Sequence, residues 1–197
     1  MITRQATANI STDYGTWRVS AYSDEPDDYV PHLVLEQVSA PLNSALPTLV
    51  RIHSECITGD LFGSTRCDCG EQLHETMRLM AARGGVIIYL RQEGRGIGII
   101  EKLKAYNLQD DGADTVDANT LLGHQADSRN YEMALEILSD MKIANIELLT
   151  NNPEKIQVFD DHPITVHRRI PLVVSPRKEN EKYLKTKAAL MGHIFNE

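Results

Sequence analysis

The chain has 197 residues, 42% of them hydrophobic and 24% charged, which is enough apolar material for one domain with a substantial core. Its formal net charge of -8, from 28 acidic and 20 basic residues, argues against a protein that coats nucleic acid with a basic face. No apolar run approaches the length of a membrane-spanning helix, the opening M-I-T-R-Q-A-T-A-N-I lacks the apolar centre of a signal peptide, and an odd number of cysteines (3) suits a reducing cytoplasm.

Residues 1–50 read as β-rich. Trp17, Val19 and Ala21 alternate with Arg18 and Ser20, the period of a half-buried strand, after a turn at Tyr14-Gly15. Ser23 to Asp28 is an acidic, proline-containing loop. Val30 to Val38 predicts a second strand, Pro41 to Pro47 a connection, and Leu49 to Glu55 a strand that leads straight into Cys56. The period then changes. Leu73, Met77, Met80 and Ala81 share one face of a helix that Gly84-Gly85 ends. Val86 to Leu90 is a short apolar run typical of a buried central strand. A glycine-rich stretch from Arg91 to Gly98 follows, then a helix through about Asn107, and a mixed loop with short helical turns from Asp114 to Gln125. Tyr131, Ala134, Leu135, Leu138 and Met141 predict a helix opened at 130 by Asp127-Ser128-Arg129, and Ile146 to Leu149 a strand. Asn152 is placed to cap a helix whose first position is Pro153. A strand near Thr165 and a helix from Glu181 to Met191 complete the chain. Strands that alternate with helices from residue 50 onward imply an α/β fold with a mixed, largely parallel sheet flanked by helices, and a β-rich N-terminal part, in a single domain spanning 1–197.

The chemistry concentrates in a few places. Cys56, Cys67 and Cys69 are the only cysteines. Thiolates so grouped suit zinc, and three protein ligands with one open position is the pattern of a catalytic site. Two other readings stand beside it: three buried small hydrophobes, or a closed structural site completed by His53 or His74. Gly94, Gly96 and Gly98 follow a strand and precede a helix, as a phosphate-binding loop does, with Arg95 inside it. Their G-x-G-x-G spacing is not the dinucleotide fingerprint, and a plain turn with a solvated arginine is the alternative. Asp127 reads either as a helix cap or as a carboxylate base, and Arg129 as a surface charge or as a cation beside it. Lys155 reads as a substrate contact or an exposed helix residue. His53, Glu55 and Gln72 flank the cysteines as metal-supporting groups, ligand-reading groups or surface residues. In open parallel sheets ligands bind beyond the carboxyl ends of the strands. Three predicted strand ends carry polar clusters, Arg51 to Glu55, Arg91 to Arg95 and Thr150 to Lys155, and their convergence says more than any one motif.

Taken together, these segments resemble the GTP cyclohydrolase II family. The matching text is R-I-H-S-E-C, R-C-D-C-G-E-Q-L, R-Q-E-G-R-G-I-G, A-Y-N-L-Q-D, D-T-V-D-A-N, L-G-H-Q-A-D-S-R, L-L-T-N-N-P-E-K and the tail Y-L-K-T-K-A-A-L-M-G-H, in order from about Leu49 onward. The first fifty residues are only loosely similar. The resemblance implies zinc on Cys56, Cys67 and Cys69. It implies GTP contacts at Arg51, Ile52, His53, Ser54, Glu55, Gln72, Glu93, Gly94, Arg95, Thr115, Thr150 and Lys155. Asp127 matches the proton acceptor, Arg129 the nucleophile in pyrophosphate release, and Tyr106 a tyrosine of the hydrolytic steps. The family also uses magnesium, held largely by the triphosphate, and is typically a cytoplasmic homodimer. Its reaction converts GTP to a diaminopyrimidinone ribosylamino phosphate, formate and pyrophosphate at the start of riboflavin synthesis. Guanidinium is a poor nucleophile, so electrostatic stabilisation by Arg129 satisfies the sequence equally well. Two functions of other classes remain as alternatives: a zinc-dependent nucleobase deaminase, although the C-x-C pair lacks the Pro-Cys-x-x-Cys form, and a non-catalytic zinc-stapled binding module.

Overall fold

A computed structural model describes residues 1–40, 42, 46–113, 115–125, 127–174, 177, 180, 192 and 194, with positions 115 and 116 described by their backbone alone. The helix expected from Glu181 to Met191 lies outside the described residues.

Among these residues the strands are β1 (Thr3–Thr12), β2 (Gly15–Ser23), β3 (His32–Gln37), β4 (Thr48–Ser54), β5 (Val86–Leu90), β6 (Asn145–Leu149) and β7 (Thr165–Ile170). They form one seven-stranded sheet in the order β1-β2-β3-β5-β4-β6-β7. The pairs β1–β2, β2–β3 and β3–β5 are antiparallel, while β5–β4, β4–β6 and β6–β7 are parallel. The sheet is therefore mixed, with an antiparallel N-terminal part and a parallel part from residue 48 onward, as the alternation of elements predicts.

The helices are α1 (Ile57–Asp60), α2 (Cys69–Arg83), α3 (Gly98–Asp110), α4 (Thr115–Leu121), α5 (Glu132–Asp140) and α6 (Glu154–Gln157). Both faces of β4, β5 and β6 are covered, which is why β5 reads as a continuous apolar run. Val50, Ile52, Val86, Ile88, Ile146 and Leu148 pack with Ala134, Ile137 and Leu138 of α5 on one face. Leu49, Ile87 and Leu149, of opposite parity, pack with Trp17 and with Met80 of α2 on the other. Removing these side chains from water drives the assembly, at roughly 25 cal/mol per Å² of apolar surface.

Several boundaries differ from the sequence-based expectation. β1 was not separable by pattern, because nine of its ten residues are exposed and no alternation marks it; its place is set by backbone pairing to β2. The stretch expected as a mixed loop with short helical turns contains α4, with Ala118 and Asn119 buried among its described side chains. α5 begins at Glu132 rather than 130, and Asn130 Oδ1, not Asp127, accepts the Glu132 amide at 2.8 Å. The cap reading of Asp127 is thus set aside. At α6 the expected cap forms: Asn152 Oδ1 accepts the Glu154 amide at 3.0 Å, and Pro153 has helical dihedrals (φ -62, ψ -34).

The segment from β4 to α2 folds back on itself at two glycines. A Cβ at Gly70 would lie 2.2 Å from the Gly59 carbonyl oxygen, so the backbones of α1 and α2 meet without a side chain between them. Gly70→Ala is expected to destabilise the protein by about 1–3 kcal/mol through this overpacking; thermal unfolding of the variant against the parent measures it.

Candidate metal centre and active site

The three polar strand ends lie side by side. β5, β4 and β6 are parallel neighbours, so Leu90, Ser54 and Leu149 finish at the same edge of the sheet. The chain leaves β4 toward β5 on one side and later reaches β6 on the other, a topological switch point where open α/β sheets hold ligands. Beyond that edge lies a cleft of ≈ 230 Å³ whose walls include Ser54, Glu55, Glu93, Gly94, Arg95 and Arg129 together with all three cysteines.

The cysteines are free, and their sulfurs all lie within 4.8 Å of one another. Cys56 follows β4, Cys67 lies in the turn before α2, and Cys69 is the first residue of α2. Cys56 Sγ and Cys67 Sγ are 3.6 Å apart. Tetrahedral zinc with Zn–S bonds of about 2.3 Å requires S···S edges of about 3.8 Å, so the donor set fits that ion. Gly59 clears the space: a Cβ there would lie 2.8 Å from Cys67 Sγ and 3.3 Å from Cys56 Sγ. His53 and His74 are not in the group. His53 Nε2 is 3.1 Å from an Asp60 carboxylate oxygen, and the His74 ring stacks on Tyr14. Among the described residues the cluster is three thiols facing a cleft. Hydrogen bonds from Cys67 and Cys69 and the nearby Lys102 charge hold the Cys56 thiol well below its usual pKa, and the same sharing pushes Cys67 up to about 11.

Glu93 and Lys102 form the floor beside the sulfurs. Glu93 Oε2 accepts the Ile57 amide at 2.6 Å, and Oε1 accepts the Gly94 amide and the Lys102 ammonium, both at 2.7 Å. Lys102 Nζ also donates to Cys56 Sγ at 3.1 Å. The stretch Glu93–Gly96 is a single 3-10 turn in which Gly94, Arg95 and Gly96 have φ of 62, 64 and 88. Left-handed dihedrals at a non-glycine cost about 1 kcal/mol, and here they aim Arg95 into the cleft. The Arg95 carbonyl accepts the Ser128 amide at 3.0 Å, which ties this loop to Asp127-Ser128-Arg129. Arg129 Nε donates to Asp127 Oδ1 at 2.8 Å, and its Nη2 donates to Oδ2. Burial opposes the Asp127 charge, but Arg129's hydrogen bonds and charge, with help from Arg95, hold its carboxyl below the usual range. Tyr106 lines the cleft with the Arg66 guanidinium 4.4 Å over its ring; burial raises its pKa, so the phenol keeps its proton.

Other predicted positions lie beneath the cleft rather than in its wall. Arg51 Nη1 donates to the Leu149 carbonyl at 3.0 Å and Nη2 to Gln72 Oε1 at 2.6 Å, while Gln72 Nε2 reaches Asp68. Burial lowers the Arg51 pKa to about 10, still a cation at neutral pH. Burial also lowers the pKa of His53, which stacks on Tyr89. Asp60 collects His53, the Tyr89 hydroxyl and the Cys56 amide. Lys155 is buried, not an exposed helix residue, and its Nζ donates to the Ile52 carbonyl at 2.8 Å. Thr150 is buried and its hydroxyl accepts the Asn152 amide. In the wall itself, Glu55 pairs with Arg91 at 2.9 Å. Thr115 opens α4.

Sequence reasoning missed Lys102, Arg66 and Asp60, and carried Gln92 only as part of the polar strand end Arg91 to Arg95. Lys102, Ala105, Tyr106 and Gln109 all line the cleft, at i, i+3, i+4 and i+7 of α3, so one helical turn back from Tyr106, which the resemblance marked, is the signal that could have found Lys102. Asp60 and Arg66 sit between the cysteines, where only the folded loop gives them partners. Gln92 donates to Ser54 Oγ and accepts the Asn130 amide, both at 3.1 Å, joining β4 to the Asp127–Arg129 segment.

Over its full length the chain is 46% identical to the "Riboflavin biosynthesis protein RibBA" of Bacillus subtilis (strain 168), and equally to that of Bacillus velezensis, in each case covering 49% of the relative. The chain thus spans about half the length of the curated relatives it matches. A solved two-domain 3,4-dihydroxy-2-butanone 4-phosphate synthase from A. baumannii is similar at a TM-score of 0.48, with 15% identity over 88% of this chain and 40% of that one, a level that says nothing about function. The model of the family described as GTP cyclohydrolase II matches residues 3–171, and the chain belongs to that family.

Proposed function

We propose that this protein hydrolyses GTP to a diaminopyrimidinone ribosylamino phosphate, formate and pyrophosphate, the first committed step of riboflavin biosynthesis. The observation that carries the reading is three thiols within 4.8 Å of one another on the wall of a cleft that also holds Arg95 and Arg129. Family membership and relatives named for riboflavin biosynthesis support it.

A zinc ion held by Cys56, Cys67 and Cys69 would supply a Lewis acid and an ionised water near neutral pH for attack on purine C8. Arg95 and Arg129 meet the triphosphate as cations at the other end of the nucleotide, with magnesium accompanying the phosphates. Asp127 fixes the Arg129 guanidinium and, ionised, is the proton acceptor. Arg129 acts as an electrostatic stabiliser, since a guanidinium with a pKa above about 12 is a poor nucleophile. The protonated Tyr106 phenol orders water during ring opening. Ser54, Glu55, Glu93 and Gly94 contact the nucleotide from the cleft wall, with Thr115 from α4. Arg51, Ile52, His53, Gln72, Thr150 and Lys155 complete the site from the strand ends that they brace. Exposed Leu61, Phe62, Ile100 and Leu103 leave apolar surface for the homodimer this reading includes, and three free thiols suit a cytoplasmic location.

Incubation with GTP, zinc and magnesium is expected to release formate and pyrophosphate, with kcat/KM about 10⁴-fold above that for ATP, because a site that hydrogen-bonds the guanine edge leaves buried groups unpaired with adenine. Ammonia release instead would point to a deaminase, and a metal-bound protein inert toward GTP to a binding module. Tyr106→Phe is expected to slow formate release by about 10²-fold while leaving the melting temperature unchanged; both are read on the same preparation. The two halves of the reaction should also separate. Cys67→Ser removes a soft ligand and is expected to abolish formate release while pyrophosphate release persists, whereas Arg129→Ala lowers pyrophosphate release by about 10²–10³-fold. Quantifying both products, with zinc content and circular dichroism as controls, checks this. A folded, zinc-free Cys67→Ser protein that makes formate at the parental rate would overturn the role of the cluster.

A further inference from the structure

Lys102 is buried, sits on the cleft-facing side of α3, and makes two polar contacts of unequal kind. One is an ordinary ion pair, Nζ to Glu93 Oε1 at 2.7 Å. The other is a hydrogen bond from the same ammonium to Cys56 Sγ at 3.1 Å. Glu93 does not need the lysine to be held, because its two oxygens already accept the amides of Ile57 and Gly94. The carboxylate is a fixed post, and the lysine leaning on it is aimed at sulfur. Nothing in the pairing with Glu93 alone requires a cation to end beside a thiolate ligand.

The charge count gives the reason. Three thiolates around a divalent cation leave one net negative charge, and Glu93 adds a second; Lys102 meets both. A donor on a ligating sulfur draws electron density from it, as hydrogen bonds do at other thiolate-held metals. Thiolate donation otherwise quenches the Lewis acidity that hydrolysis needs. We propose that Lys102 is a positioning residue for the metal centre: anchored on Glu93, its ammonium donates to Cys56 Sγ and reduces the electron donation of that thiolate to the bound metal. The proposal rests on the metal reading of the cysteine cluster given above.

The test uses the full chain with cobalt(II) in place of zinc, whose thiolate-to-metal charge-transfer absorption reports sulfur donation independently of turnover. Lys102→Met is expected to keep cobalt bound at one equivalent and to shift that band to longer wavelength, because a thiolate without its donor gives up charge more easily. In the zinc-loaded enzyme the same change is expected to lower kcat for formate by about 10–100-fold, the usual cost of losing a group that supports a metal ligand, with KM for GTP unchanged. Should burial of an unbalanced Glu93 prevent folding, Lys102→Met/Glu93→Gln removes both charges and reports the same band. A charge-transfer band at the parental wavelength in the folded variant overturns the proposal and leaves the metal reading standing. A parent protein with no such band overturns the metal reading, and the proposal with it.

Discussion

The parallel pairing of β5, β4 and β6 is the constraint on which the rest depends. A parallel neighbour forces all three strands to end at one edge, and each end continues directly into chemistry: Cys56 after β4, Glu93 and Arg95 after β5, Thr150 to Lys155 after β6. The apolar register, Val50 against Val86 and Ile52 against Ile88, fixes those ends to within a residue. A slip of one position would turn Arg51 and His53 into the α5 face of the core and Ile52 out of it. Packing on both faces therefore decides where the thiols stand relative to the arginines.

Polar contacts then convert that rough placement into a site. Three short segments, after β4, after β5 and at Ser128–Asn130, are stitched to each other rather than to the sheet alone: Glu93 to the start of α1, Arg95 to Ser128, and Gln92 to both Ser54 and Asn130, while Asp60 holds the Cys56 amide within the first. Buried ionised groups are costly unless paired, and in this region they are paired: Lys102 with Glu93, Arg129 with Asp127, Arg51 with Gln72 and the Leu149 carbonyl. Such pairing holds side chains in one geometry, which catalysis needs more than extra stability.

Global and local charge point in opposite directions. The chain is acidic overall, at -8, yet Arg66, Arg95, Lys102 and Arg129 all line one cleft. Net charge speaks to solubility and long-range attraction; affinity for a phosphate depends on the few guanidiniums within hydrogen-bond reach.

The sequence by itself determined the fold class, the parallel part of the sheet, and the grouping of the three cysteines. Those features are written in local pattern: apolar runs for doubly covered strands, a change of period at Cys69, and all three cysteines of the chain gathered between positions 56 and 69. It also marked the three polar strand ends before anything placed them together. It did not determine β1, whose exposed residues carry no period, or the extent of α4. Nor did it distinguish a helix cap from the ion-pair partner of Arg129 at Asp127, or an exposed from a buried lysine at Lys155, because tertiary packing decides each. Lys102 is the clearest instance. In the sequence it is one of two lysines on a mixed helix, and 46 positions separate it from Cys56. Only the docking of α3 over the thiol loop gives its ammonium a sulfur and a carboxylate to meet. Periodicity records which side of an element faces inward, and tertiary packing decides what waits there.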